Sequence, residues 1–220
     1  MRTILIILTL AISPVAAAQT MQEPLVIELP QPQTAAGMPV ERTLRQRRSV
    51  RRFSDRPLEL TDAAQLLWSA QGITSRDGLR TAPSAGALYP LEIYLAAGNV
   101  NGLPAGIWHY RPDGHRLVQL SDSDVRTPLA RAALDQAWVR EAAAVVVFAA
   151  VFERTLRKYG KRGTRYVHIE AGHAAQNLFL QAVSLDIRTV VVGAFRDADV
   201  AAVLDLPEDH APLILMPLGH

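Results

Sequence analysis

Four arginines crowd the stretch Arg47-Arg48-Ser49-Val50-Arg51-Arg52-Phe53. If it runs extended, side chains alternate: Arg47, Ser49 and Arg51 share one face, and Arg48, Val50 and Arg52 the other. Two guanidiniums flanking a hydroxyl form a compact clamp for one phosphate. Guanidinium donates planar, bidentate hydrogen bonds, and the serine adds one more donor. The same stretch also reads as a solvated basic turn with surface ion pairs. The formal net charge of the chain is only +2. The arginines are thus a local cluster, not the basic face that nucleic-acid binding spreads over a domain.

Two other stretches put small residues where backbone can approach a ligand. "PSAGALYP" places Ser84, Ala85 and Gly86 in a loop with minimal side chains, and "VVVGAF" places Gly193 and Ala194 at a strand end. Small residues let backbone N–H groups come close to a flat ring. An ordinary surface turn is the plainer reading of the first. Lys158-Tyr159-Gly160 holds one of two lysines among 23 basic residues. It fits a helix C-terminus, with basic side chains at the negative dipole end and Gly160 as the cap. His168, Glu170 and His173 suggest a metal, but five residues on a helix rotate by about 140°. The two histidines therefore do not share a face, and no metal site is expected. Glu170, His173 and Asn177 do share one, and satisfied core polar groups are the plain reading of that face. With no cysteine, thiolate chemistry and disulfides are excluded.

These groups need elements to hold them. A short helix should end over 41–46. Thr61-Asp62 should cap an amphipathic helix running to Ile73 with Ala64, Leu67, Trp68 and Gln71 at helical spacing. A polar loop over 74–90 leads to a strand at 91–100. Residues 106–120 form a hairpin signature around Pro112-Asp113-Gly114. Then come a helix over 122–138, a buried strand over 142–151, a helical start at 153–159 and the longest helix over 164–186. A strand at 189–195, a short helix and a final strand "PLILMPLG" complete the chain. Interleaved helices and strands with a hairpin inside predict an α+β, three-layer α-β-α sandwich around a mixed, mainly antiparallel sheet.

The R-x-S-x-R-x-F pattern at 47–53, "TAPSAGALYPLEIYLAA" at 81–97 and "RKYGKRGTRYVHIEAGHAAQNLFLQAVSLDIRTVVVGAF" at 157–195 occur in this order. Together they resemble the nitroreductase-like flavoproteins, and within them the SagB-type dehydrogenase branch. The resemblance spans roughly residues 41 to 219. It implies bound FMN, with Arg47, Arg48, Ser49 and Arg51 at the phosphate and ribityl chain. Pro83, Ser84, Ala85, Gly86 and Leu88 would lie along the ring, and Gly193 and Ala194 over its reactive edge. It implies a Lys158-Tyr159 dyad that takes a substrate proton as hydride leaves. It implies an obligate homodimer with flavin at the interface and the long helix at its centre, with His173, Gln176 and Asn177 as buried polar groups nearby. Where relatives place a basic residue after the last strand, this chain has His220, which shifts phosphate binding towards Arg47 and Arg51.

The first eighteen residues read as a secretory signal: one arginine, an apolar run from Ile4 to Ile12, and Ala16-Ala17-Ala18 before Gln19. That predicts export to the periplasm with no membrane span after cleavage, the alternative being an uncleaved N-terminal anchor, followed by a proline-rich arm over 19–40 and an FMN-binding domain over 41–220. Three functions stay open. One is an FMN-dependent oxidoreductase moving hydride or electrons between a donor and a small organic acceptor. The others are a non-catalytic flavin-binding or structural homodimer, and an azoline-type dehydrogenase acting with partner proteins.

Overall fold

The longest apolar run of the chain forms the interior of a sheet. The computed structural model describes residues 23–35 and 37–220. The expected signal segment and the first residues of the arm lie outside the described residues. β7 (Ala144–Ala150) is buried along its whole length. Its neighbours are β3 (Leu91–Ala97) on one side and β9 (Ala211–Gly219) on the other, both antiparallel. Residues on these strands alternate between two separate cores, as a side-chain period of two requires. Leu91, Ile93 and Leu95 with Val146 and Phe148 face one core, and Tyr94 and Ala96 with Val145 and Val147 face the other. Each fully buried large side chain contributes about 1.5–3 kcal/mol.

The sheet has seven strands in the order β1-β6-β5-β3-β7-β9-β8. The remaining members are β1 (Val26–Glu28), β5 (Gly106–Arg111), β6 (Arg116–Ser121) and β8 (Arg188–Thr189). Every pairing in it is antiparallel; the parallel pairing is between two short strands outside it, β2 (Leu58–Glu59) and β4 (Val100–Asn101). The layer on one face is α1 (Val40–Gln46), α2 (Leu60–Gln71), α5 (Phe152–Tyr159) and the 22-residue α6 (Gly163–Ser184). The layer on the other is α3 (Arg126–Ala132), α4 (Ala137–Glu141) and α7 (Asp197–Leu204). This is the expected α+β three-layer sandwich. Among the described residues, no helix is long and apolar enough to cross a membrane.

Four local expectations are corrected. The helix over 122–138 is two helices, because Leu134 and Asp135 take positive φ between them. The strand over 189–195 shrinks to Arg188–Thr189 and a single bridge from Val192 to Leu215. Helix α2 begins at Leu60, so Thr61 and Asp62 lie in its first turn and not at the cap. Part of the arm is an edge strand: β1 pairs with β6, and His115 in the hairpin turn links Tyr110 Oη to the Pro30 carbonyl.

Candidate active site

The arginine segment runs beside the edge of the sheet. Val50 N–H donates to Thr189 O at 3.0 Å, and Ser54 N–H to His220 O at 2.6 Å. Phe53 packs on Gly219, where a Cβ would sit 2.9 Å from its ring; only glycine lets the aromatic this close to β9. The side chains do not form the expected shared face. The Arg47 guanidinium lies over Phe179, 4.9 Å from the ring centroid, and that of Arg51 over Trp138 at 5.6 Å. These rings belong to opposite layers of the sandwich. Arg48 bonds the Arg45 and Arg47 carbonyls at 3.1 and 2.8 Å, while Ser49 is exposed. Among the described residues, none of the segment's arginines is paired with a carboxylate. The ion-paired turn is therefore not what the sequence builds here.

The loop and the Lys158-Tyr159 pair come together. Gly86, Ala87 and Tyr89 take φ of 65°, 54° and 46°, three left-handed residues within four positions. Ser84 Oγ accepts the Tyr89 N–H at 2.9 Å, and Ala87 N–H donates to Ser84 O at 3.1 Å, closing the turn. A Cβ on Gly86 would stand 2.8 Å from Tyr159 Oη and 2.9 Å from Lys158 Nζ. Helix α5 ends as the sequence suggests, with Gly160 N–H donating to Leu156 O. The helix end thus delivers Lys158 and Tyr159 to the loop. Pro83, Ser84 and Ala85 border a cavity of about 270 Å³ with Tyr166, Ile169, Glu170 and His173 of α6. Leu88 is half-buried and does not line it.

Beneath the loop lies a polar cluster that sequence reasoning did not assemble. Glu170 is 2% exposed and Gln71 is fully buried. Arg80 Nη1 donates to Gln71 Oε1 at 2.9 Å and its guanidinium stacks 4.4 Å from the Tyr89 ring. Burial raises the Glu170 carboxyl to about 7, opposed by Ser84, Arg80 and Gln71. Glu170 Oε1 and Gln71 Nε2 nevertheless make no hydrogen bond. Asn177 Nδ2 donates to Thr81 O at 3.1 Å and holds the loop's start. His173 and Gln176 are exposed on the single chain, on the side of α6 turned away from the sheet, where the expected subunit interface would lie. Gly193 and Ala194 are also exposed; a Cβ on Gly193 would meet nothing within 4 Å, and Gln136 Nε2 donates to Ala194 O at 2.8 Å. Among the described residues no cluster of three metal-ligating side chains is present.

The fold and its matches place the chain among oxidoreductases. It belongs to the nitroreductase family, whose model matches residues 44–220. A candidate nitroreductase of Methanocaldococcus jannaschii is 46% identical over 180 residues, covering 82% of this chain and 90% of that one. The microcin B17-processing protein McbC of Escherichia coli is 31% identical over 147 residues, 64% of this chain and 54% of its own length. Among solved structures, a candidate nitroreductase from Ralstonia eutropha superposes with a TM-score of 0.78 at 30% identity, covering 96% of this chain and 95% of that one. The NADPH:FMN oxidoreductase of Vibrio harveyi, solved with NAD+, gives 0.60 at 25% identity over 82% and 68%.

Proposed function

We propose that the chain is an FMN-dependent oxidoreductase that moves hydride or electrons between a donor and a small organic acceptor. The observation that carries this reading is the meeting of Gly86 with Lys158 Nζ and Tyr159 Oη beside the small cavity. The residues fit a flavin. The loop and Gly193 offer backbone without side chains to a flat ring, and the carboxylate-free arginines suit a phosphate. Arg47, Arg48, Ser49 and Arg51 would hold the phosphate and ribityl end. Pro83, Ser84, Ala85, Gly86, Leu88, Gly193 and Ala194 would border the ring. Bound flavin supplies two-electron chemistry. The chain's own part is to bind, orient and exclude water, and Lys158 or Tyr159 takes or returns the substrate proton.

The site is completed by a second copy of the chain. Helix α6 exposes Arg165, Ile169, Gly172, His173 and Gln176 at helical spacing, with Ile169 48% exposed, and Val40 and Leu44 of α1 are exposed as well. The proposed homodimer would cover these residues. Export to the periplasm rests on the N-terminal sequence and would make a quinol, a protein or the substrate itself the electron donor. A second reading, azoline-type dehydrogenation with partner proteins, is favoured by the adjacent Lys158 and Tyr159 and by the likeness to McbC.

An absorption spectrum of purified protein incubated with FMN and desalted tests the first reading. A retained flavin band near one per subunit is the expected result. Folded, dimeric, colourless protein would refute it. Lys158→Ala should keep the flavin but slow its reduction by substrate; unchanged rates would return Lys158 to a helix-end role.

A further inference from the structure

On the sheet face away from Glu170 and Lys158, residues of β3, β5 and β6 and the end of α7 line a cavity of about 750 Å³. Its size is in the range of small-molecule sites. Three of its polar lining residues, Tyr94, His109 and His210, are held by contacts within the chain. Tyr94 and His109 are cross-strand partners, and their rings stack with centroids 4.6 Å apart and planes 14° apart. His109 Nε2 lies 2.7 Å from Glu92 Oε2, and Glu92 also holds Arg154. An ionised carboxylate only accepts, so His109 donates from Nε2 and leaves Nδ1 for another partner. Tyr94 Oη meets His210 Nδ1 at 2.6 Å. Burial keeps the phenol protonated, so it donates. The His210 proton then sits on Nε2, towards Asp209 Oδ1 at 3.8 Å.

Among the described residues, His109 Nδ1 and His210 Nε2 make no hydrogen bond, and neither is sealed from solvent. The cavity thus holds two imidazole nitrogens without partners beside a stacked aromatic pair. A hydroxyl serves either, since it both donates and accepts. Ile107, Leu120, Val125 and Leu204 form apolar walls, while Arg111 and Asp205 oppose each other in charge. An apolar body with no net charge suits that lining. We propose that this cavity is a second binding site, separate from the redox site, for a neutral hydroxylated molecule with an apolar body, a phenol or an alcohol.

The test is an NMR titration of the imidazole signals in the full chain equilibrated with FMN. The probes are 4-ethylphenol and ethylbenzene, which differ by the hydroxyl, and single His109→Gln and His210→Gln variants assign the two rings. We expect 4-ethylphenol to shift both rings saturably and to bind about tenfold more tightly than ethylbenzene, the worth of one hydrogen bond. Leu120→Trp fills part of the cavity while keeping both histidines and should weaken 4-ethylphenol by at least about tenfold. Unmoved histidine signals, equal binding of the two probes, or an unaffected Leu120→Trp variant would each overturn the proposal. The readout does not depend on turnover, and it stands whether or not the chain retains FMN.

Discussion

Glu92 and Glu170 are both largely buried carboxylates, on opposite faces of one sheet, and they end at opposite ends of the scale. Burial pushes Glu92 up, but hydrogen bonds from His109 and Arg154 outweigh it and bring the group down to about 2. Glu170 has Arg80 nearby but no ion pair, and burial holds it at about 7. The arginines divide the same way. Arg154 is tied to Glu92 and to Tyr89 O, whereas Arg47 and Arg51 rest on aromatic rings with no carboxylate. The Glu92 carboxylate itself is satisfied within the chain, by His109 and Arg154. The region around Glu170 and the arginine segment leaves several unsatisfied. Natural folds pair nearly all buried polar groups, and the exceptions concentrate where something else must bind.

The contrast breaks most visibly at the unpaired arginines. Arg47→Ala with Arg51→Ala should lower FMN affinity by about 4 kcal/mol, roughly a thousandfold, for two charge-assisted bonds lost. The protein should stay folded and purify colourless; yellow protein with unchanged affinity would remove the arginines from the site.

Glu170 should show its charge state in stability. Its folded pKa is raised, so the folded chain keeps a proton that the unfolded chain releases between about pH 4.5 and 7. That contribution is full below 4.5 and lost as pH rises through 7, a change of about 3 kcal/mol. Denaturant melts across this range should show the decline in the wild type and not in Glu170→Gln. A flat wild-type profile would mean that Glu170 ionises freely.

Glu92 carries the opposite sign. Its folded pKa is depressed, so its contribution is present above about 4.5 and lost as pH falls towards 2. Glu92→Ala should cost about 2 kcal/mol at neutral pH, reduced from the fully buried case because Arg154 is 40% exposed. The smallest effect is expected at the loop. Gly86→Ala puts a Cβ at positive φ against Lys158 and Tyr159, a loss of about 1 kcal/mol in stability. A melt indistinguishable from wild type would show that the loop relaxes away from the pair.

Much of the fold was legible because it follows from local periodicity. The buried strand at 142–151, the hairpin at Pro112-Asp113-Gly114 and the long helix each appear within a residue or two of their expected place. The misses share a cause. Leu134 and Asp135 break a helix without glycine or proline, so no local signal marks the break. Val190 and Val192 look like strand residues, yet they fill the second core with a single bridge to β9. β1 pairs only because β6 offers an open edge.

By itself, the sequence determined which residues alternate into the sheet, where the long helix runs, and that small residues and arginines cluster at particular places. Those are properties of neighbouring residues and of side-chain chemistry. Only the tertiary structure decided that Gly86 meets Lys158 and Tyr159, that Arg47 and Arg51 lie on rings of opposite layers, and that Glu170 is buried while His173 is not. These outcomes depend on which faces pack together, and distant segments settle that when they exclude water from the two cores.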